Sequence, residues 1–258
     1  MTLIKSEIES NVLKITLNRP DKFNSFNREM ALELQSALDK AAADKTIRAV
    51  LLTGEGKAFC AGQDLTEAMD ANGPGIERIV REHYNPIILK IRNLEKPVVC
   101  AVNGVAAGAG ANIALACDVV IASTSVSFIQ AFSKIGLIPD SGGTFFLPRL
   151  IGFGKASALM MLGDKVSATH AEQMGMIYKV VDDTVLEIEA LVIAKRLADM
   201  PTKGIGLTKL LLNKSMSNNL VDQLEYEGDM QVHAASSHDY AEGVNAFLEK
   251  RKPIFKGE

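Results

Sequence analysis

Three short apolar runs most constrain how this 258-residue chain can fold. They are Ala49–Thr53 (AVLLT), Pro97–Val102 (PVVCAV) and Asp118–Ala122 (DVVIA). Runs of this length, bounded by turn residues such as Gly54-Glu55-Gly56, read as buried strands. Helical patterns lie between them. Residues 27–42 repeat apolar side chains at Met30, Leu34, Leu38 and Ala41, and Ile76–Leu94 carries Ile79, Val80, Ile87, Ile88 and Ile91 on one stripe. Val12–Leu17 (VLKITL) alternates apolar and polar residues, as a half-buried strand does. The recurring order of strand, turn and helix predicts an α/β protein with helices packed on sheet.

The last third differs. After Gly154 only helical patterns remain, punctuated by Gly163, Gly175, Pro201 and Pro253. Thr169-His-Ala-Glu172 fits a capping box, and 185–200, 203–216, 220–235 and 239–250 read as amphipathic helices. An α/β core over 1–200 followed by a helical region over 201–258 is the expected organisation. Residues 66–78 (TEAMDANGPGIER) form the one loose stretch, expected to be a mobile loop.

Composition removes several function classes. The net charge is −3, and no basic stripe argues for nucleic acid. The first ten residues, MTLIKSEIES, lack the apolar centre of a signal peptide, and no apolar run approaches the roughly 20 residues that span a bilayer. Cys60, Cys100 and Cys117 lie among apolar or small residues, which suggests reduced thiols and a cytoplasmic protein. His83, His170, His233 and His238 are scattered, so no metal site is expected.

Three glycine-rich segments can carry chemistry. Phe59-Cys-Ala-Gly-Gln-Asp64 follows a strand and turn; Gly104–Ile113 (GVAAGAGANI) lies between a strand and a helix; Gly136–Thr144 reads GLIPDSGGT. Gly108 and Gly110 fall where a helix begins, and free N–H groups at such an end favour an anion or a developing oxyanion. Close helix–strand packing would also require these small residues. A dinucleotide fingerprint is disfavoured, because Ile113 stands where a third glycine is needed and no acidic residue closes a following strand at the right distance. Gly152-Phe-Gly-Lys-Ala-Ser157 has the wrong spacing for a phosphate loop. In the third segment Asp140 sits in a stiff Pro-Asp-Ser-Gly turn among apolar residues, here Ile138, Phe132 and Phe145. It is either an ordinary turn residue or a desolvated general base of raised pKa. Cys60 has no histidine placed to activate it as a nucleophile.

Taken together, the motifs resemble the crotonase (enoyl-CoA hydratase/isomerase) superfamily over the whole chain. The resemblance runs through Asn18-Arg-Pro20 with Asn24, Ala58–Leu65, Lys96-Pro97, Ala101–Gly110 and Ala116-Cys-Asp118. It continues through Gly136–Thr144, Leu147-Pro-Arg149, Glu242-Gly243, Ala246-Phe-Leu248 and Lys250–Pro253. It implies a spiral of ββα turns, a C-terminal helical region used in assembling a homotrimer or hexamer, and an acyl-CoA substrate. CoA belongs to that substrate, so no separate cofactor is expected. It further implies that the N–H groups of Ala61 and Ala109 hold the thioester oxygen, within a site that includes Gly62, Gln63, Asp64, Gly108 and Gly110. Arg19, Lys22, Phe23, Phe255 and Lys256 lie in segments that approach the CoA nucleotide in the family. Association with other phenylacetate or β-oxidation enzymes is a further implied partner class.

The departures are informative. Hydratases of the superfamily use two glutamates to add water, and this chain has Asn112 and Phe132 at those positions. Neither can act as a base. Asn112 is left to bind substrate or to satisfy local backbone, and Phe132 to pack in the core or to wall the pocket. Asp140 is the remaining acid. One base and an oxyanion hole suffice to shift a double bond from β,γ to α,β. Within the superfamily, AVNGVAAGAGA, AFSKIGLIPDSGGT and EGVNAFLEKRKP resemble the branch that isomerises ring-1,2-epoxyphenylacetyl-CoA to oxepin-CoA. A Δ3-Δ2 or dienoyl enoyl-CoA isomerase and a non-catalytic acyl-CoA-binding subunit are the alternatives. Tyr84 and His83 are candidate pocket residues, with ordinary helix packing as the plainer reading.

Overall fold

The computed structural model describes residues 2–258. An antiparallel hairpin, β1 (Ile4–Glu9) and β2 (Val12–Leu17), leads through α1 (Arg28–Ala43) into three strand pairs. The first pair, β3 (Ala49–Gly54) and β4 (Ala58–Cys60), is followed by α2 (Leu65–Ala68), α3 (Gly75–Arg78) and α4 (Asn85–Asn93). The second, β5 (Val98–Val102) and β6 (Val105–Ala107), is followed by α5 (Ala109–Leu115). The third, β7 (Val119–Ser123) and β8 (Ser127–Ile129), is followed by a 3₁₀ turn at Ala131–Ile135, then α6 (Gly143–Ile151) and α7 (Phe153–Leu162). The chain continues through β9 (Lys165–Ser167), α8 (Ala168–Gln173), β10 (Lys179–Val181) and α9 (Leu186–Ala198). It ends with α10 (Thr202–Ser215), α11 (Leu220–Ala235) and α12 (His238–Leu248).

The pairs explain the architecture. The first strand of each pair enters a six-stranded sheet ordered β1-β2-β3-β5-β7-β10, and the second enters a four-stranded sheet ordered β4-β6-β8-β9. The chain therefore steps between two sheets and adds helical structure at each turn, which is a ββα spiral. Side-chain alternation separates two cores. Val50, Leu52, Val98 and Cys100 face the main core between the sheets and α1, α4 and α5, while Ala49, Leu51, Val99 and Ala101 face α9 on the outer side. Burial on both faces is why these strands read as continuous apolar runs.

Several expectations are corrected. The region after Gly154 contains β9 and β10, and β10 pairs in parallel with β7 at the edge of the large sheet. Strands of three residues are too short to carry a period of two. The cap of α8 is Ser167, whose side chain accepts the His170 N–H, and not Thr169. Glu172, the expected partner in that box, instead accepts the Val180 N–H at 2.8 Å and ties α8 to β10. The loose stretch 66–78 contains part of α2 and all of α3. The single helix expected over Ile76–Leu94 is interrupted by a π-helical turn at Ile79–Tyr84. The four helices from 186 onward form as the periodicity indicated. No helix among the described residues is long and apolar enough to cross a membrane.

In the smaller sheet, β4 and β6 lie side by side and parallel. The loops leaving them therefore emerge together. The helix after β6 is drawn against β4 at Gly110, where an added Cβ would sit 2.4 Å from the Cys60 carbonyl oxygen and 2.7 Å from its Sγ. Backbone cannot yield to such an overlap as a long side chain does. Gly110→Ala is expected to cost about 2 kcal/mol or more, read as a lowered midpoint of urea unfolding. An unchanged midpoint would show that α5 moves away from β4 freely.

Candidate active site

The loop after β4 turns at Gly62, and the loop after β6 turns at Gly108 with φ +53° and ψ −126°, a backbone conformation suited to glycine. The two loops touch: a Cβ on Gly62 would lie 3.0 Å from the Ala107 carbonyl oxygen and 3.6 Å from the Ala109 nitrogen. Ala109 is the first residue of α5, so its N–H has no carbonyl within the helix to bind.

The structure moves the other expected donor. The Ala61 N–H already donates to the Phe23 carbonyl at 3.0 Å. Phe26 N–H donates to Gly62 O at 2.7 Å and Asp64 N–H to Phe26 O at 2.8 Å, which leaves the intervening Gln63 N–H without an acceptor among the described residues. The free pair is thus Gln63 and Ala109. The peptide that turns its N–H away from the Phe26 segment is set by a tertiary bridge between Phe26 and Gln63, which no local motif reports.

The same contacts bring in the 19–25 turn. Arg19 pairs with Asp64 at 2.9 Å, both largely buried, and Asp64 caps α2 by accepting the Thr66 N–H. These contacts hold the Asp64 carboxyl below its usual range despite burial, which acts the other way. Lys22 and Phe23 are exposed on this turn, next to the Gln63 loop. Phe255 and Lys256 are not brought there. Arg48 holds the Phe255 carbonyl at 2.8 Å, and the Asp239 carboxylate accepts the Lys256 N–H at 2.7 Å. Arg48 precedes β3 while the site adjoins that strand's other end, roughly 20 Å away at about 3.3 Å per residue.

Asp140 is positioned from α5. Asn112, one turn beyond Ala109 and fully buried, donates from Nδ2 to the Asp140 carbonyl at 2.9 Å and accepts from Gln130 Nε2 at 2.8 Å. Its side chain is therefore engaged with protein groups. The Gly143 N–H donates to the same Asp140 carbonyl at 2.9 Å across two left-handed residues, Ser141 and Gly142. A Cβ on Gly143 would come within 2.4 Å of Asn112 Nδ2, so the glycine is required for the clamp. Phe132 is buried, and its ring edge lies over Gly108, beside the Ala109 N–H. It belongs to neither core cluster, which favours the pocket wall.

Burial pushes the Asp140 carboxyl up from its ordinary value, opposed by the Ser141 hydroxyl, which donates to Oδ1 at 2.8 Å. The apolar shield expected from Ile138 and Phe145 is corrected: within the chain these are 82% and 41% exposed. Ile88 and Phe146 pack against the adjoining Gly142 instead. Tyr84 completes the neighbourhood. It is fully buried, and its hydroxyl donates to Gln63 Oε1 at 2.9 Å. Its phenol is held well above the usual value by burial first, and further by the acidic groups of Cys60, Asp140 and Glu67 around it. His83, also buried, contacts Arg28 at 3.2 Å and has an unpartnered Nδ1. Burial pushes the Cys60 thiol up to about 12, so it is inert as a nucleophile. Two unpartnered N–H groups and one desolvated carboxylate can hold an oxyanion and move a proton.

The sequence model of the family described as enoyl-CoA hydratase/isomerase matches residues 7–258. The chain belongs to that family. It is an enzyme of the crotonase family acting on CoA thioesters, with the crotonase fold. It is 49% identical over 261 aligned positions to the 1,2-epoxyphenylacetyl-CoA isomerase of Escherichia coli (strain K12), covering 100% of both chains. It is 37% identical to the trans-2-decenoyl-[acyl-carrier-protein] isomerase of Streptococcus mutans, over 97% of each. The crystal structure of an enoyl-CoA hydratase from Bacillus anthracis superposes with a TM-score of 0.93 at 36% identity, covering 99% of this chain and 100% of that one.

Because the folded state binds the Asp140 proton more tightly than the unfolded chain, stability falls as pH rises from the ordinary Asp value through the raised one. Asp140→Asn is therefore expected to unfold at a higher denaturant concentration than the wild type at pH 7. The gain should vanish near pH 3, where the carboxyl is protonated in both states. An equal or lower midpoint at pH 7 contradicts a desolvated Asp140.

Proposed function

We propose that this enzyme is an isomerase of CoA thioesters that moves a proton through an enolate, and that its reaction is the conversion of ring-1,2-epoxyphenylacetyl-CoA to oxepin-CoA. The observation that carries the reading is the single desolvated carboxylate of Asp140, with an amide and a phenyl ring, Asn112 and Phe132, where hydration would need acids. The relative at 49% identity adds the acyl group, since its name specifies the ring epoxide.

In this mechanism the Gln63 and Ala109 N–H groups donate to the thioester oxygen. Asp140 removes a proton from the α-carbon. The electron pair of the broken C–H bond moves towards the carbonyl, and the two donors stabilise the resulting enolate. The protonated Asp140 then returns the proton to the γ-carbon, leaving the double bond conjugated with the thioester. For the ring epoxide, which is a valence tautomer of the oxepin, the same transfer carries the α-proton to a ring carbon. The CoA arrives and leaves with the acyl group, and no separate cofactor takes part. Phe132 over Gly108 forms one wall of the acyl site.

A second reading, isomerisation of linear enoyl thioesters, is favoured by the 37% identity to an isomerase whose name specifies a decenoyl chain. It uses the same groups. A cytoplasmic setting agrees with three buried, unpaired cysteines. Assembly as a homotrimer or hexamer agrees with the C-terminal helices: α11 buries none of its residues within the chain, and Phe247 on α12 is 83% exposed. In such an assembly Phe255 and Lys256 would serve a neighbouring subunit's CoA.

Asp140→Asn decides the chemistry. With 3-hexenoyl-CoA, followed by conjugated-thioester absorbance, and with the ring epoxide, the variant is expected to lose at least about 100-fold in kcat, in the range typical of removing a general base. Near wild-type turnover would refute the role of Asp140. A wild-type protein that binds both thioesters and converts neither would be a binding subunit. Light scattering is expected to give a mass of three or six chains, and a monomer would remove the assembly reading.

A further inference from the structure

The turn that interrupts the predicted helix ends on a buried phenol. Ile79–Tyr84 is π-helical, a wider turn that is uncommon and concentrates at functional sites. It delivers Tyr84 to the Gln63 side chain. The ring packs edge-on against Phe26, with centroids 5.9 Å apart, and Phe26 is the residue whose backbone brackets Gln63. The hydroxyl donates to Gln63 Oε1 at 2.9 Å. Gln63 Nε2 in turn donates to Glu67 Oε2 at 3.0 Å. Both oxygens of Glu67 accept the Arg28 N–H at the start of α1, at 2.9 and 3.1 Å. The Gln63 side chain is therefore held at both ends, between a π-turn and a helix N-terminus, while its own peptide N–H is the unpartnered one.

We propose that Tyr84 is a positioning residue whose hydroxyl, through the Gln63 side chain, fixes the direction of the Gln63 N–H towards the thioester oxygen. The inference rests on the thioester reading of the site above. It assigns the π-turn a purpose that packing does not require. A phenylalanine would fill the same space against Phe26, and an ordinary helical turn would satisfy the backbone better. An oxyanion donor loses effect steeply when misdirected, because its worth depends on lying in line with the charge that develops.

The test removes only the hydroxyl. In Tyr84→Phe, kcat is expected to fall about fivefold to tenfold, the range of one lost hydrogen bond, with KM changed less than about twofold. Gln63→Met should do the same, and the double variant should lose no more than either single one, since both break one linkage. A second readout does not depend on turnover. Phenylacetyl-CoA labelled with carbon-13 at the thioester carbonyl cannot isomerise, and its stretching frequency should drop on binding to the wild type. The drop should be smaller in both variants. If the wild type shows no drop, the thioester reading fails and takes this inference with it. If the wild type shows the drop and Tyr84→Phe keeps it in full, the inference fails and the thioester reading stands. Should Tyr84→Phe not fold, Gln63→Met, at a partly exposed position, carries the decision by the same criterion. Additive losses in the double variant would also overturn the proposal.

Discussion

The approach of α5 to β4 is the contact on which this site depends. Where Gly110 meets Cys60 there is no room for a side chain. Because the strands β4 and β6 are neighbours, this contact brings the Gln63 and Ala109 loops to one place from distant parts of the sequence. The free N–H groups then follow from ordinary chain chemistry. One begins a helix, and the other is turned away by the bridge to Phe26. A ββα spiral produces such a convergence through its topology, since each turn places the second strand of a pair beside the previous one.

Asp140 is secured by the same helix. Asn112 projects from α5 to the carbonyl of Asp140, so the acid and the Ala109 N–H share a rigid element. The carboxylate itself has weaker support. Burial disfavours its charge, and the Ser141 hydroxyl is the side chain that offsets this. A base for carbon acids benefits from such surroundings, because a well-solvated or ion-paired carboxylate would hold its charge too comfortably to take a proton. Asp64 shows the contrast: close by, paired with Arg19 and capping α2, it is a structural acid. Environment, and not residue type, separates the two.

Much of this was legible in the residues. The three apolar runs became β3, β5 and β7, since burial on both faces leaves continuous apolar stretches. Long helices were legible from their period. The resemblance supplied the spiral that composition and periodicity left open, and the family match agrees with it. The strands of three residues were not legible, because they are shorter than any pattern that could mark them. The π-turn was hidden as well, since its apolar stripe reads like that of a regular helix. The resemblance pointed to the Ala61 N–H, while the residues themselves indicate only that a turn is present. They do not say which of the turn's N–H groups is already engaged, and that depends on Phe23, far back in the chain.

By itself, the sequence determined the class of fold, the glycine turns, and the presence of Asp140 where no other acid of the motif remained. The first two are properties of local spacing and residue type, and the third follows from the family resemblance. Tertiary structure alone decided which N–H groups stay free, what Asn112 binds, and that Tyr84 reaches Gln63. It also decided that Phe255 and Lys256 lie far from the Gln63 loop within one chain. Each of these depends on partners distant in sequence, and hydrogen bonds and burial between distant segments exist only once the sheets have assembled.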